Sequence, residues 1–193
     1  IYLFSAYKTY GPHQGIMVIR RDLGMRLPNQ AHYFNAEVLY KRFTPAGPDH
    51  AQIAASAGMA DYVDALAARH GGEGRDAKGR AALVHDLMRG HETRLLQPLL
   101  DHLAARNDLR LLGPRRAEGR APTVAVLAQR PGADLAQALA GEGIMAGGGS
   151  FYANRALAAQ GVELDHGVLR LSFVHSTTEA EVDRLIRALD RVL

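Results

Sequence analysis

The chain has 193 residues, 47% of them apolar, and a formal net charge of +3, enough to bury a real core in one domain or one and a half. It contains no cysteine, which excludes a disulfide framework, a zinc–thiolate site and a cysteine nucleophile within these residues. No apolar run reaches the length needed to cross a bilayer, so no membrane partner is expected.

Ile1-Tyr2-Leu3-Phe4 reads as a buried strand. The chain thus opens in mid-pattern and without Met, and the expectation is that a front half, holding the partners of this strand, precedes it. A polar turn follows over 5–15, then a second apolar, β-branched run from Gly15 to Ile19 with a charged stop at Arg20-Arg21. Residues 25–50 read as irregular, because Pro28, Pro45 and Pro48 interrupt any helix. From Asp49 to Arg69 the pattern is helical, with Ile53, Ala57, Ala60 and Val63 at spacings of three and four. Gly71-Gly72-Glu73-Gly74 breaks it. A longer helix is expected over 76–105, with Leu83, Leu87, Leu95, Leu99 and Leu103 on its buried side and a kink at Pro98.

After Asn107 the texture changes. Leu109–Leu112 and Thr123–Ala128 read as strands, 133–141 as an Ala-rich helix, Ile144-Met145-Ala146 as a brief extended piece, and 167–174 as a strand. The last helix carries a capping box, Thr178 with Glu181, and an apolar stripe of Val182, Leu185, Ile186, Leu189 and Leu193. The fold class is therefore α/β, and α+β in the C-terminal part: a small mixed or antiparallel sheet with helices packed on one face, plus the long helix as a bridge. The domain boundary is placed between 1–75 and 76–193.

Lysine occurs only at Lys8, Lys41 and Lys78; the other basic residues are Arg. They are spread along helices and mixed with Asp and Glu, which argues against a nucleic-acid surface and for a bias in codon use. The nine histidines form no metal-binding motif: there is no His-Glu-x-x-His, and His85 and His91 do not share a helix face, so no metal is expected. Gly147-Gly148-Gly149 is not followed by the helix and third glycine of a dinucleotide fingerprint.

The segment Phe4-Ser5-Ala6-Tyr7-Lys8-Thr9-Tyr10-Gly11-Pro12 is the most informative. A lysine at the end of a buried strand loses its charge easily, and a neutral amine condenses with an aldehyde. Hydroxyls at Ser5, Tyr7 and Tyr10 suit an anionic phosphate. Spacing alone favours a snorkelling surface lysine beside a turn.

This segment resembles the lysine motif of the class V aminotransferases, which include cysteine desulfurases and selenocysteine lyases. Phe4, Ser5, Ala6, Lys8, Tyr10, Gly11 and Pro12 match it; Tyr7 stands where the family commonly has histidine. Pro45-Ala46-Gly47-Pro48-Asp49-His50 resembles the family's Gly-Thr-Pro-Asn turn, with Gly47 in the threonine's place, so that only backbone N–H groups remain there. Gly167–Ser172 with His175–Asp183 resembles the closing strand and helix, and Arg170 falls where the family's arginine binds the substrate α-carboxylate. The resemblance implies the C-terminal half of a fold-type I transferase dependent on pyridoxal 5'-phosphate (PLP). It makes 1–75 the end of the large PLP-binding domain and 76–193 the small domain. Lys8 would be the catalytic residue that forms a Schiff base with PLP. Ser5, Tyr7, Lys8 and Gly47 would bind the cofactor, and Arg170 the substrate.

One departure bears on the reaction. Cysteine desulfurases carry a persulfide-forming cysteine on the loop before the last strand; here it reads Gly147-Gly148-Gly149-Ser150-Phe151-Tyr152-Ala153-Asn154. Serine cannot replace a thiolate at neutral pH. The implied function is a PLP-dependent amino-acid lyase or aminotransferase, similar to selenocysteine lyases but without that cysteine. It is expected to be a cytoplasmic homodimer acting on a small amino acid. That activity is expected of the parent protein, and the 193 residues alone are expected to be inactive. The alternative is a non-catalytic C-terminal domain that dimerises or supports a missing catalytic half.

Overall fold

The computed structural model describes residues 1–44 and 47–193. They form two compact units, Ile1–Val84 and His85–Leu193.

In the first unit, strand β1 (Tyr2–Ser5) leads through a 3₁₀ turn, Ala6–Thr9, to strand β2 (Gly15–Val18). The strands pair with each other antiparallel, Tyr2 opposite Val18 and Ser5 opposite Gly15. Each strand thus finds one partner in the other, on one of its two edges. Residues 6–14 are long enough to reverse the chain, and closing the hairpin satisfies backbone groups that open strands would strand. The expected burial is corrected: Tyr2 and Leu3 are 68% and 67% exposed.

Helix α1 (Arg21–Arg26) follows, then 3₁₀ turns at Tyr33–Asn35 and Leu39–Lys41. This irregular stretch is tied together by Arg42, whose buried guanidinium donates to the carbonyls of Met25, Leu27 and Ala36. A planar fork with five donors suits such scattered acceptors. The single helix expected over 49–69 is two, α2 (His50–Ala55) and α3 (Ala57–Arg69). Asp49 caps α2 by accepting from the Gln52 backbone N–H at 3.1 Å. Ile53, one of the residues at helical spacing, is exposed.

Helix α4 (Ala77–Ala104) contains the boundary between the units and runs through Pro98. Leu95, Leu99 and Leu103 are buried as expected, together with Leu96 and Leu100, whereas Leu87 is exposed. Strands β3 (Leu109–Leu112), β4 (Thr123–Ala128), β5 (Gly147–Gly149) and β6 (Val168–Ser172) make an antiparallel sheet in the order β3-β4-β6-β5.

Successive strand residues point to opposite faces. Val124, Val126, Leu169 and Leu171 therefore join the main core with α4, α5 (Gly132–Gly141) and α7 (Glu179–Val192). On the other face, Val168 packs with Leu157, Val162 and Phe151. Leu157 comes from α6 (Asn154–Ala159), a short helix not expected from the sequence. Arg170 shares that second face by alternation.

The glycines of β5 answer a packing demand. A Cβ on Gly148 would strike the backbone of Gly132 and Ala133, and a Cβ on Gly132 the backbone of Val168. Helix α5 thus starts directly against β5 and β6, leaving no room for a side chain between them.

The capping box of α7 forms as expected: the Glu181 backbone N–H donates to Thr178 Oγ1, and Glu181 accepts from the Thr178 backbone N–H at 2.7 Å. These hydrogen bonds, first the one from the backbone of Thr178, hold the Glu181 carboxyl below its usual range. A carboxyl depressed on folding stabilises above its unfolded value, and the gain is lost as pH falls through the lower folded one. Thr178→Ala is expected to cost about 1 kcal/mol in a urea melt at neutral pH. An unchanged midpoint would show that the cap contributes nothing.

Candidate functional site

Ser5, Tyr7 and Lys8 share one turn. Its foundation is rigid. Ala6 is fully buried, its N–H donates to the Gln14 carbonyl at 2.8 Å, and its carbonyl accepts from Gly11 N–H at 2.9 Å and from Thr9 Oγ1 at 2.9 Å. Tyr10 turns the chain in the left-handed region at φ 64. A Cβ on Gly11 would strike the Met59 side chain, so the turn also sits tightly against α3.

On this base Lys8 is exposed, not buried at a strand end as expected from the sequence. The reason is local: the strand stops at Ser5, and the 3₁₀ turn carries Lys8 outward. Its Nζ lies 5.5 Å from the Tyr7 ring centroid. Tyr7 is itself stacked on His13, with centroids 4.6 Å apart and planes at 7°. Among the described residues the Ser5 hydroxyl makes no capping bond to the turn. An exposed primary amine, a hydroxyl and a braced phenol on a fixed backbone are groups that can meet a ligand carrying both an aldehyde and a phosphate.

Gly47 is exposed and lines a cavity of about 440 Å³ with His32, Phe34, Tyr40, Lys41 and His50 among its walls. Pro45 and Ala46, which belong to the same sequence motif, lie outside the described residues. The sequence reading singled out Gly47 alone. The cationic and aromatic neighbours come from segments 15 residues or fewer away with no periodic signature, so nothing in the pattern announced them.

Arg170 lies in the second unit, on β6, opposite Gly147 of β5 and Ala125 of β4. It is exposed, and its guanidinium carbon lies 4.0 Å from the centroid of the Phe151 ring. Among the described residues it makes no ion pair, so its fork of N–H donors is open to a carboxylate. Phe151 and Tyr152 both adopt left-handed backbone, φ 53 and 58. Such conformations cost bulky residues about 1–3 kcal/mol each and persist only where the surroundings impose them. Tyr152 is fully exposed, whereas the Phe151 ring packs on the Val168 cluster. The part played by Phe151 was not visible in the sequence.

A family model described as aminotransferase class V matches residues 1–185. An aminotransferase-like protein of Gibberella zeae is 26% identical over 198 aligned residues, which cover all of this chain and 46% of that protein. The chain therefore spans about half the length of the curated relative it matches. The cysteine desulfurase CsdA of Escherichia coli superposes with a TM-score of 0.72 at 22% identity, over 99% of this chain and 45% of that one. A cysteine desulfurase of Thermococcus onnurineus gives 0.70 at 17% identity, over 98% and 46%. At these identities the likeness establishes the fold, that of the C-terminal part of fold-type I PLP-dependent enzymes.

Proposed function

Because the chain belongs to the class V aminotransferase family, we propose that it contributes the lysine and the carboxylate-binding arginine of a PLP-dependent lyase acting on a small amino acid. The observation that carries the proposal is Lys8: an exposed amine on a rigid turn, beside a serine hydroxyl and a braced phenol. PLP, when bound, supplies the electron sink that makes breaking bonds at Cα and Cβ of an amino acid feasible.

Residues of this chain take a share of the remaining work. Lys8 anchors the cofactor, then takes and returns the proton at the substrate Cα. Ser5 and Tyr7 donate to the phosphate from the same turn. The Gly47 backbone N–H supplies a further donor to a phosphate, in the place where the family's turn reaches a neighbouring subunit. Arg170 grips the α-carboxylate with two parallel N–H bonds, which orients Cα. The exposed Tyr33, Phe34 and Tyr40 beside the Gly47 cavity support a homodimer that covers them.

Selenocysteine is the substrate favoured over cysteine. The 193 residues offer no thiolate to take the sulfur atom, and selenium leaves carbon more readily. Selenium release from L-selenocysteine is expected to outpace sulfur release from L-cysteine when the cofactor-loaded enzyme is assayed under matched conditions. Equal or faster turnover of cysteine, or clean transamination with a keto acid, would refute this assignment.

A further inference from the structure

The geometry points to Phe151 as the positioning residue for Arg170: its ring holds the guanidinium in the orientation that receives a carboxylate edge-on. The inference rests on the reading of Arg170 as the carboxylate-binding residue and goes one residue beyond it.

Four observations converge. The guanidinium carbon stands 4.0 Å from the Phe151 centroid, the distance of a cation seated on a ring face. An arginine stacked in this way has one face covered, and its free donors lie in its own plane, where a planar carboxylate can meet two of them. Second, the cross-strand neighbour of Arg170 is Gly147, and a Cβ there would come within 2.9 Å of Phe151 Cε1 and 3.0 Å of Cζ. Gly147 has ordinary backbone, so the glycine is required by the ring and not by its own φ. Third, Phe151 sits at φ 53, a conformation that a phenylalanine adopts only under constraint. Its ring also packs against the Leu157, Val162 and Val168 cluster. Fourth, the Arg170 donors have no carboxylate partner among the described residues, so the stack orients the side chain without consuming its binding capacity.

A freely rotating arginine at an exposed strand position must be ordered when the ligand binds, and that ordering weakens binding. A ring beneath it removes part of the cost in advance. Substrates without an α-carboxylate would gain nothing from the arrangement.

The test compares two probes on the cofactor-loaded enzyme, L-alanine and ethylamine, which differ only by the carboxylate on the amine-bearing carbon. Binding is read from the change in cofactor absorbance, without turnover. The ratio of the two dissociation constants isolates the grip on the carboxylate. Phe151→Leu is expected to weaken L-alanine by about five- to twentyfold and ethylamine by less than about twofold. Phe151→Tyr, which keeps the ring, should retain the native ratio. Gly147→Ala, which leaves Phe151 in place but crowds its ring, should weaken L-alanine at least about threefold with ethylamine unchanged. Adding Phe151→Leu to Arg170→Lys should have no further effect. If Arg170→Lys lowers the alanine preference but Phe151→Leu and Gly147→Ala both keep it, the positioning role is overturned and the reading of Arg170 stands. If Arg170→Lys itself leaves the preference intact, the reading of Arg170 is overturned and the inference with it.

Discussion

Lys8→Ala is expected to lower turnover of the cofactor-loaded enzyme by about 10²- to 10⁴-fold, the range for loss of a positioned proton-transfer group. Two functions would be lost together, the anchoring of the cofactor and the movement of the Cα proton. The change should do this without unfolding the chain, because Lys8 is exposed and the hydrogen bonds that fix its turn come from Ala6, Thr9, Gly11 and Gln14. Lys78→Ala serves as the control. Lys78 lies on the first turn of α4 and does not share the Lys8 turn. Selenium release should fall only in the Lys8 variant, with circular dichroism unchanged in both. Comparable losses in the control variant, or near-native activity in Lys8→Ala, would remove Lys8 from the mechanism.

The largest effect on stability is expected at Gly148. The obstacle to a Cβ there is the backbone of Gly132 and Ala133, not the end of a flexible side chain. Relief would require moving α5 off β5, and α5 contributes Leu135 and Leu139 to the main core. Gly148→Ala is therefore expected to cost about 3 kcal/mol, the upper part of the usual range for overpacking. Gly141→Ala is the contrast. Gly141 ends α5 with open space around its Cβ position and no left-handed φ, so the substitution should be neutral or stabilise by about 0.4–1 kcal/mol. Urea unfolding of the two variants against the native chain decides this. A Gly148→Ala midpoint equal to that of Gly141→Ala would mean that α5 and β5 are not packed as described.

The second unit was the more legible half in the sequence. Leu109–Leu112 and Thr123–Ala128 form strands with the expected bounds, and the Thr178–Glu181 box starts the last helix. These elements bury one face against a core present in the same residues, so their periodicity records their environment. Helix α6 escaped notice because Asn154–Ala159 is short and buries only Leu157. Helix α1 escaped because Gly24 sits inside an arginine-flanked run that reads as a stop. In the first unit apolar pattern and burial part company: Ile1, Tyr2, Leu3 and Ile53 have strand or helix spacing yet remain exposed. Pattern there marks what the residues are suited to contact.

The site divides in the same way. The lysine motif and Arg170 were readable because each is a local string of residues. The stack of Phe151 under Arg170 was not, since it joins positions 19 apart through a loop with two left-handed residues. Loop geometry of that kind leaves no periodic trace. The glycine run answers the close approach of α5, which only packing reveals.

The central claim, that Lys8 anchors PLP, is tested most directly by borohydride reduction of the cofactor-loaded protein followed by peptide mass mapping. The account predicts one pyridoxyl group per chain, on Lys8. Label on Lys41 or Lys78, or no label at all, would contradict it.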